Sequence, residues 1–313
     1  MRPDMNTSCT SRRLTRLLAT AGLMLAASTA LTAEPVCQPP QLNILLTNDD
    51  GYDTPGIIAL HRALNLAGHR VKRVAPAENQ SGSSTSLAFT GVTVAEVADE
   101  DFKAVYAVRA TPATTVVLGA TALFSAEEPV DLVVSGINQG ANLGPATPIS
   151  GTVGAVIAAL QMLDPPIPGI AISSNLVNDD PQSEENLQLA ARISTFIARL
   201  VKVLQTQHCG ERHVLPQGLA LNINYPPLAD SDIKGVRLAA QGQAPYFQLS
   251  FRAAEGGLYI PAFGGAEPTE DVANADTTLF NAGYVTIVPI DGDYTAAAAE
   301  THRDLKALQA LVP

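Results

Sequence analysis

Leu42-Asn43-Ile44-Leu45-Leu46-Thr47-Asn48-Asp49-Asp50-Gly51 is the stretch on which the fold turns. Leu42 to Leu46 is a continuous apolar run of strand length, as expected for a strand buried on both faces of a parallel sheet. It stops at two adjacent carboxylates, which repel each other unless a cation joins them. In an open α/β sheet, ligands gather beyond the carboxyl ends of the strands, and hard divalent cations prefer oxygen donors. One reading of Asp49-Asp50-Gly51 is therefore a metal site. The other is an acidic strand-to-helix turn that Gly51 completes.

Outward from this stretch, strands and helices alternate. Thr54-Pro55 offers an N-cap and a first-turn proline ahead of Ile57, Ile58, Leu60, His61 and Leu64. Arg70 to Val74 reads as the second strand, and the polar loop Ala75 to Ser84 follows its end. Val105 to Val108 is a third short strand, followed by a buried helix over Thr111 to Phe124. Asp131 to Val134 is a further buried strand, which opens into Ser135-Gly136-Ile137-Asn138-Gln139-Gly140-Ala141-Asn142-Leu143-Gly144. Glycines there permit tight turns and close approach to a ligand. Ser150-Gly151-Thr152 starts an alanine-rich helix, whose first N–H groups favour an anion. Gly169 to Ile172 is another strand. Leu189, Ile193, Phe196, Ile197, Leu200 and Leu204 then recur at helical spacing as a core-facing stripe. After Gly218 the texture changes to short strands, at Leu219 to Asn224, Gly235 to Ala239, Tyr246 to Arg252 and Tyr284 to Pro289, with Ala262 to Asn274 read as an exposed, mobile loop. The fold class is α/β: a Rossmann-like, mostly parallel sheet flanked by helices over about 42–217, with a β-rich C-terminal extension over about 218–296.

Composition narrows the function. Of the 313 residues, 46% are hydrophobic and 16% charged, which suits a packed core rather than a disordered chain. The formal charge of −11 comes without clusters of Lys and Arg, so polymeric nucleic acid is not expected as a partner. Residues 1–33, in which Arg12, Arg13 and Arg16 precede the apolar run Leu17 to Leu31, read as a signal peptide ending at Ala33. A retained anchor is the competing reading, and a span of ~20 residues would suit it better. Export to the periplasm or beyond, without a stable membrane anchor, is the expectation, by general secretion or by the twin-arginine route. The leader holds four arginines and one aspartate, a contribution of +3, so the chain from residue 34 carries −14. Cys37 and Cys209 remain as a pair that an oxidising compartment can join. His61, His69, His208, His213 and His302 share no motif and read as helix-surface or loop residues. Neither Gly-x-Gly-x-x-Gly nor a Walker A lysine is present.

The motifs together are more specific than any one of them. Asn48-Asp49-Asp50-Gly51, Ala75-Pro76 with Asn79-Gln80-Ser81-Gly82, Val133-Val134-Ser135-Gly136-Ile137-Asn138-Gln139-Gly140 with Asn142-Leu143-Gly144, and Ser150-Gly151-Thr152-Val153 resemble, in order and spacing, the SurE survival-protein family. Ile233-Lys234-Gly235, Asp276 and Gly283-Tyr284-Val285-Thr286-Ile287-Val288-Pro289 look like the family's C-terminal blocks, so the resemblance spans about 42–296. It implies a metal-dependent phosphatase acting on nucleoside 5′- or 3′-monophosphates, some members also trimming short polyphosphate. It further implies a homodimer or homotetramer whose C-terminal segments exchange between subunits.

Carried over position by position, the resemblance makes Asp49, Asp50, Ser81 and Asn138 the metal ligands, with Asp49 and Asp50 catalytic. Two carboxylates, a hydroxyl and an amide oxygen suit Mg²⁺ or Mn²⁺, one per subunit. Asn48, Asn142, Ser150, Gly151 and Thr152 are the candidate phosphate-binding residues, and direct attack by water is the expected route. Two departures bear on substrate choice. Thr114 stands where the family commonly has Asp, and Ile149, after Thr147-Pro148, stands where a Tyr often precedes Ser-Gly-Thr. The alternative kept beside this reading is an exported metal-dependent nucleotide- or anion-binding protein without turnover.

Overall fold

The computed structural model describes residues 39–208, 214–245, 248–264, 269–270 and 272–295. The leader, Cys37, Cys209, His213 and His302 lie outside the described residues. No helix among the described residues is long and apolar enough to cross a membrane.

The first strand, β1 (Asn43–Thr47), is followed by helix α1 (Pro55–Leu66) and then β2 (Arg70–Pro76), which pairs parallel to β1. β3 (Val94–Val97) and β4 (Val105–Val108) form the edge beyond β2, β4 parallel to β2 and β3 antiparallel to β4. Helix α2 (Pro112–Leu118) runs into a π-helical turn at Gly119–Leu123. On the other side of β1 lie β5 (Leu132–Gln139), β6 (Gly169–Ser174) and β7 (Ala220–Asn224), all parallel, with α3 (Gly151–Gln161) between β5 and β6 and α4 (Glu184–Gln207) between β6 and β7. Consecutive connections thus leave β1 in opposite directions, so the crevice between the ends of β1 and β5 is a topological switch point.

The buried strands alternate their apolar residues between two helical layers, as a period of two requires. Ile44, Leu46, Leu132, Val134, Ile170 and Ile172 face Ile57, Leu60 and Leu64 of α1 and Leu189, Ile193, Ile197 and Val201 of α4. Leu45, Val133 and Ala171 face the opposite layer, built from Val116 of α2 and Val153, Val156 and Leu160 of α3. Gly119 belongs to this close packing, because a Cβ there would stand 2.6 Å from the Leu45 side chain.

The strands after Gly218 divide. β7, β11 (Val285–Ile290) and β8 (Val236–Leu238) complete a nine-stranded sheet of order β3-β4-β2-β1-β5-β6-β7-β11-β8, with β11 antiparallel to β7. β9 (Gln248–Ala253) and β10 (Tyr259–Gly264) instead make a separate antiparallel hairpin, so the segment expected to be a loop from Ala262 begins as the end of a strand. A short helix, α5 (Asp276–Asn281), precedes β11.

The histidine expectation needs correcting. His61 is fully buried, because it shares the inward face of α1 with Ile57 and Leu64, and its ring stacks on Phe102 at 4.1 Å. His69 is buried as well, and its Nδ1 accepts a hydrogen bond from the Leu42 N–H.

Candidate metal centre

Four segments meet at the switch point, each delivered by the end of a regular element. β1 ends at Thr47, and the next four residues turn sharply. Asn48 donates from its amide nitrogen to the Gly51 carbonyl (2.8 Å) and to Thr54 Oγ1 (3.0 Å), while its amide oxygen accepts from the Gly51 N–H. Gly51 sits at φ +127°, a conformation that side chains disfavour. Thr54 caps α1 in backbone terms, yet its hydroxyl donates back to the Gly51 carbonyl instead of serving the helix. This turn holds Asp49 and Asp50 in place, with Asp49 only 2% exposed.

The other segments reach these two residues directly. The loop after β2 touches β1 through the Gln80 N–H, which donates to the Asp49 carbonyl at 2.7 Å. The end of β5 reaches Asp50, whose Oδ2 accepts from the Gln139 N–H at 3.0 Å. The start of α3 reaches Asp49, whose Oδ1 accepts from the Thr152 hydroxyl at 2.5 Å. The residues beside Ser81 and Asn138 are therefore bonded to the acidic pair, although Ser81 and Asn138 stand in distant stretches of sequence. Ser81 is exposed, and its own N–H closes a turn on Asn79.

Asn138 owes its placement to an irregularity. β5 pairs Ser135 with Ala171 and then Asn138 with Ser173, so one extra residue is accommodated between them. A bulge of this kind bends the strand and re-aims a side chain at the rim of the sheet. The Asn138 amide nitrogen donates to the Gly140 carbonyl at 2.7 Å, which leaves the amide oxygen as the atom to meet a cation.

Electrostatics set the pair apart. Burial pushes the Asp50 carboxyl up to about 7, the negative charge of Asp49 adds to the rise, and the Gln139 N–H opposes it. Burial also raises Asp49, against hydrogen bonds from the Thr152 hydroxyl and from backbone N–H groups, those of Gly151 and Thr152 among them. The first turn of α3 is thus aimed at a carboxylate. Among the described residues no three His, Cys, Asp or Glu side chains gather around one point, so any cation here must take neutral oxygens as well. Asp49, Asp50, Ser81 and Asn138 offer that mixture, which fits Mg²⁺ or Mn²⁺ better than zinc. Two further observations concern the close approach of Ser83 and Asp49 to the start of α3. A Cβ on Gly151 would lie 2.8 Å from Ser83 Oγ and 2.9 Å from Asp49 Oδ2, and Ser83 Oγ is itself buried without a hydrogen-bond partner.

The remaining sequence candidates have clear local duties. Ser150 caps α3 by accepting from the Val153 N–H at 3.2 Å. Asn142 is clamped: its N–H donates to Asn224 Oδ1, its amide to Ser173 Oγ, and its carbonyl accepts from the amides of Asn222 and Asn224 and from Thr147 Oγ1. Sequence reasoning did not single out Asn222, Asn224, Ser173 or Ser83. Asn222 and Asn224 carried a signal, since two amides on one face of a buried strand demand partners. The departures also find roles. Thr114 Oγ1 accepts from the Ala88 N–H at 2.9 Å and bonds Thr111 Oγ1, tying the loop that contains Ser81 to α2. Ile149 is half exposed beside that loop, and its carbonyl accepts from the Ser84 N–H.

Fold and site together define the class: an open α/β protein that presents oxygen donors for a hard cation at its switch point. Comparison with known proteins carries this to a family. Residues 44–248 match the family model described as survival protein SurE. The 5′-nucleotidase SurE of Jannaschia sp. (strain CCS1) is 33% identical over 264 residues, 82% of this chain and 95% of the relative. That of Nitratidesulfovibrio vulgaris (strain DP4) is 34% identical over 257 residues, 81% and 95% of the respective lengths. The crystal structure of the SurE protein from Aquifex aeolicus superposes with a TM-score of 0.66 at 31% identity, covering 85% of this chain and 99% of its own. The chain belongs to the SurE family.

Proposed function

We propose that this protein hydrolyses phosphate monoesters in a divalent-metal-dependent reaction, with nucleoside 5′-monophosphates, and 3′-monophosphates beside them, as substrates. The observation that carries the reading is the Asp49–Asp50 pair, Asp49 buried and Asp50 partly so, two carboxyls held side by side by three separate segments with no ion pair to a cationic side chain among the described residues. The names of its relatives, 5′-nucleotidase SurE, agree with this chemistry.

Asp49, Asp50, Ser81 and Asn138 would hold the cation. When bound, it supplies Lewis-acid stabilisation of phosphoryl charge and activates water at neutral pH. Thr152 fixes the orientation of Asp49 by its hydrogen bond, and the Gln139 N–H does the same for Asp50. The start of α3, at Ser150, Gly151 and Thr152, bears on the phosphate through the helix dipole, because its Gly151 and Thr152 N–H groups already serve Asp49. Asn48 and Asn142 contribute by shaping their turns, because their amide groups are already engaged there.

Release of inorganic phosphate from a panel of 5′- and 3′-nucleotides, with Mg²⁺, Mn²⁺ or a chelator, tests the reading. Turnover that requires metal is the expected result. Nucleotide binding without phosphate release overturns it in favour of a binding protein.

The reading extends to assembly and location. One face of the β9–β10 hairpin carries Leu249, Phe251 and Tyr259, each more than half exposed, and an isolated two-stranded hairpin is marginal in water. Such an exposed apolar face supports a homodimer or homotetramer in which a second copy covers it, which sedimentation of the wild-type protein and of Phe251→Ser distinguishes from a monomer. The leader at residues 1–33 supports export, which N-terminal sequencing of the protein recovered from the periplasm tests.

A further inference from the structure

Ser83 is a hydroxyl close to Asp49 that the proposed chemistry leaves unused. Its oxygen is buried and has no hydrogen-bond partner, a condition that a native fold tolerates rarely and usually for a reason. Its position is built rather than incidental. The Ser83 N–H donates to the Gln80 carbonyl at 3.1 Å, and the Ser83 carbonyl accepts from the Ser86 N–H at 3.1 Å. The next residue is tied to the segment before α3, through the Ser84 N–H to the Ile149 carbonyl and the Ser84 hydroxyl to the Pro148 carbonyl. Gly154 lets this loop press on α3, since a Cβ there would lie 2.0 Å from the Ser84 carbonyl oxygen. With its backbone pinned, Ser83 keeps one freedom, rotation of its side chain.

The bare Cα of Gly151 lets Ser83 Oγ and Asp49 Oδ2 approach one point, 2.8 and 2.9 Å from where a Cβ would stand. The Thr152 hydroxyl serves Asp49 Oδ1 and backbone N–H groups at the start of α3 are also directed at this carboxylate, while Oδ2 is the oxygen that approaches the same point as Ser83 Oγ. We infer that Ser83 is a second positioning residue for Asp49: when a cation engages the carboxylate, the Ser83 hydroxyl donates to it past the bare Cα of Gly151. The two hydroxyls then hold the carboxylate from different elements, Thr152 before and after loading, Ser83 only after. This rests on the metal site proposed above. Partners of this kind around metal ligands change affinity by ~10–100-fold when removed.

The test reads Mn²⁺ binding without substrate, from the free-ion paramagnetic signal, alongside thermal unfolding in chelator, for the full chain and Ser83→Ala. The inference expects Mn²⁺ affinity about tenfold weaker in Ser83→Ala, with a chelated melting midpoint equal to or above wild type, because the lost hydroxyl had no partner there. Thr152→Val, which removes a hydroxyl already bonded, should weaken Mn²⁺ binding and lower the chelated midpoint together. Wild-type affinity in Ser83→Ala overturns the inference, as does a lowered chelated midpoint with unchanged affinity, the signature of a merely structural hydroxyl. Failure of the wild-type protein to bind Mn²⁺ overturns the metal site itself, and this inference with it.

Discussion

Asp49 and Asp50 at the end of β1, and Glu270 and Asp276 around the start of α5, are both carboxylate pairs, yet their surroundings differ in what they supply. Glu270 accepts from the N–H groups of Gln243, Ala244 and Val272 and from Thr277 Oγ1. The Val272 N–H above all, with the others, holds its carboxyl down at about 2. Asp276 is fully buried and raised by that burial, but three backbone N–H groups, from Gly144, Gly242 and Thr277, converge on it and oppose the rise. Asp50 has the Gln139 N–H and a charged neighbour, and its carboxyl rises to about 7. A carboxylate pair saturated by donors is a structural clasp, complete in itself. Asp49 has the Thr152 hydroxyl and main-chain donors, but Asp50 is left with the Gln139 N–H beside a like charge, so this pair is incomplete and keeps a repulsion that a divalent cation would relieve.

If this contrast holds, the largest effect comes from the incomplete pair. Asp49→Asn or Asp50→Asn should lower metal-stimulated phosphate release by at least ~10³-fold, because Lewis-acid stabilisation is worth several kcal/mol. Melting in chelator should be unchanged or improved, since a repulsion is removed, and near-normal turnover in either variant would break the comparison at its root. Mn²⁺ at about 100 times its dissociation constant should then stabilise the wild-type fold by ~2.7 kcal/mol, visible in urea unfolding, and should do nothing for Asp49→Asn.

The clasp should behave in the opposite way. Asp276→Asn places an amide where three N–H donors converge, and a loss of ~2 kcal/mol in urea unfolding is expected with little change in Mn²⁺ affinity. Should affinity fall in step with stability, the two pairs are one mechanical unit through Gly144, and the separation fails. The smallest effect is pH-dependent. The folded carboxyl of Glu270 lies at about 2, below its ordinary 4.5, so its contribution is present above pH 4.5 and is lost as the pH falls from about 4.5 toward 2. Glu270→Gln should flatten that part of the stability–pH curve, and an unchanged slope would remove Glu270 from the clasp.

Much of this molecule was legible one residue at a time. The apolar run Leu42–Leu46, the Thr54-Pro55 start, the Ser150 cap and the stripe along α4 are local statements about burial and helix ends, and each is a feature of the structure. The glycines of the loops carried meaning for the same reason, since Gly51 and Gly151 stand where a side chain would strain the backbone or fill the site. What escaped sequence reasoning depended on partners far along the chain. His61 looked like a surface residue until Phe102 was placed against it, and the strands after Gly218 looked like an appendage until β11 and β8 joined the main sheet beside β7.

The amino-acid sequence by itself determined which side chains carry chemistry, the alternation that makes a parallel sheet, and the motif order that marks the SurE family, because these follow from periodicity, capping and local turn geometry. Tertiary structure alone decided which oxygen each donor serves. Thr152 belongs to Asp49, Gln139 to Asp50, and Asn224 to Asn142 because a bulge in β5 and a switch in strand order bring together segments that are 82 to 103 residues apart. Hydrogen bonds form over about 3 Å, and no local rule of the chain specifies distances of that scale across such separations.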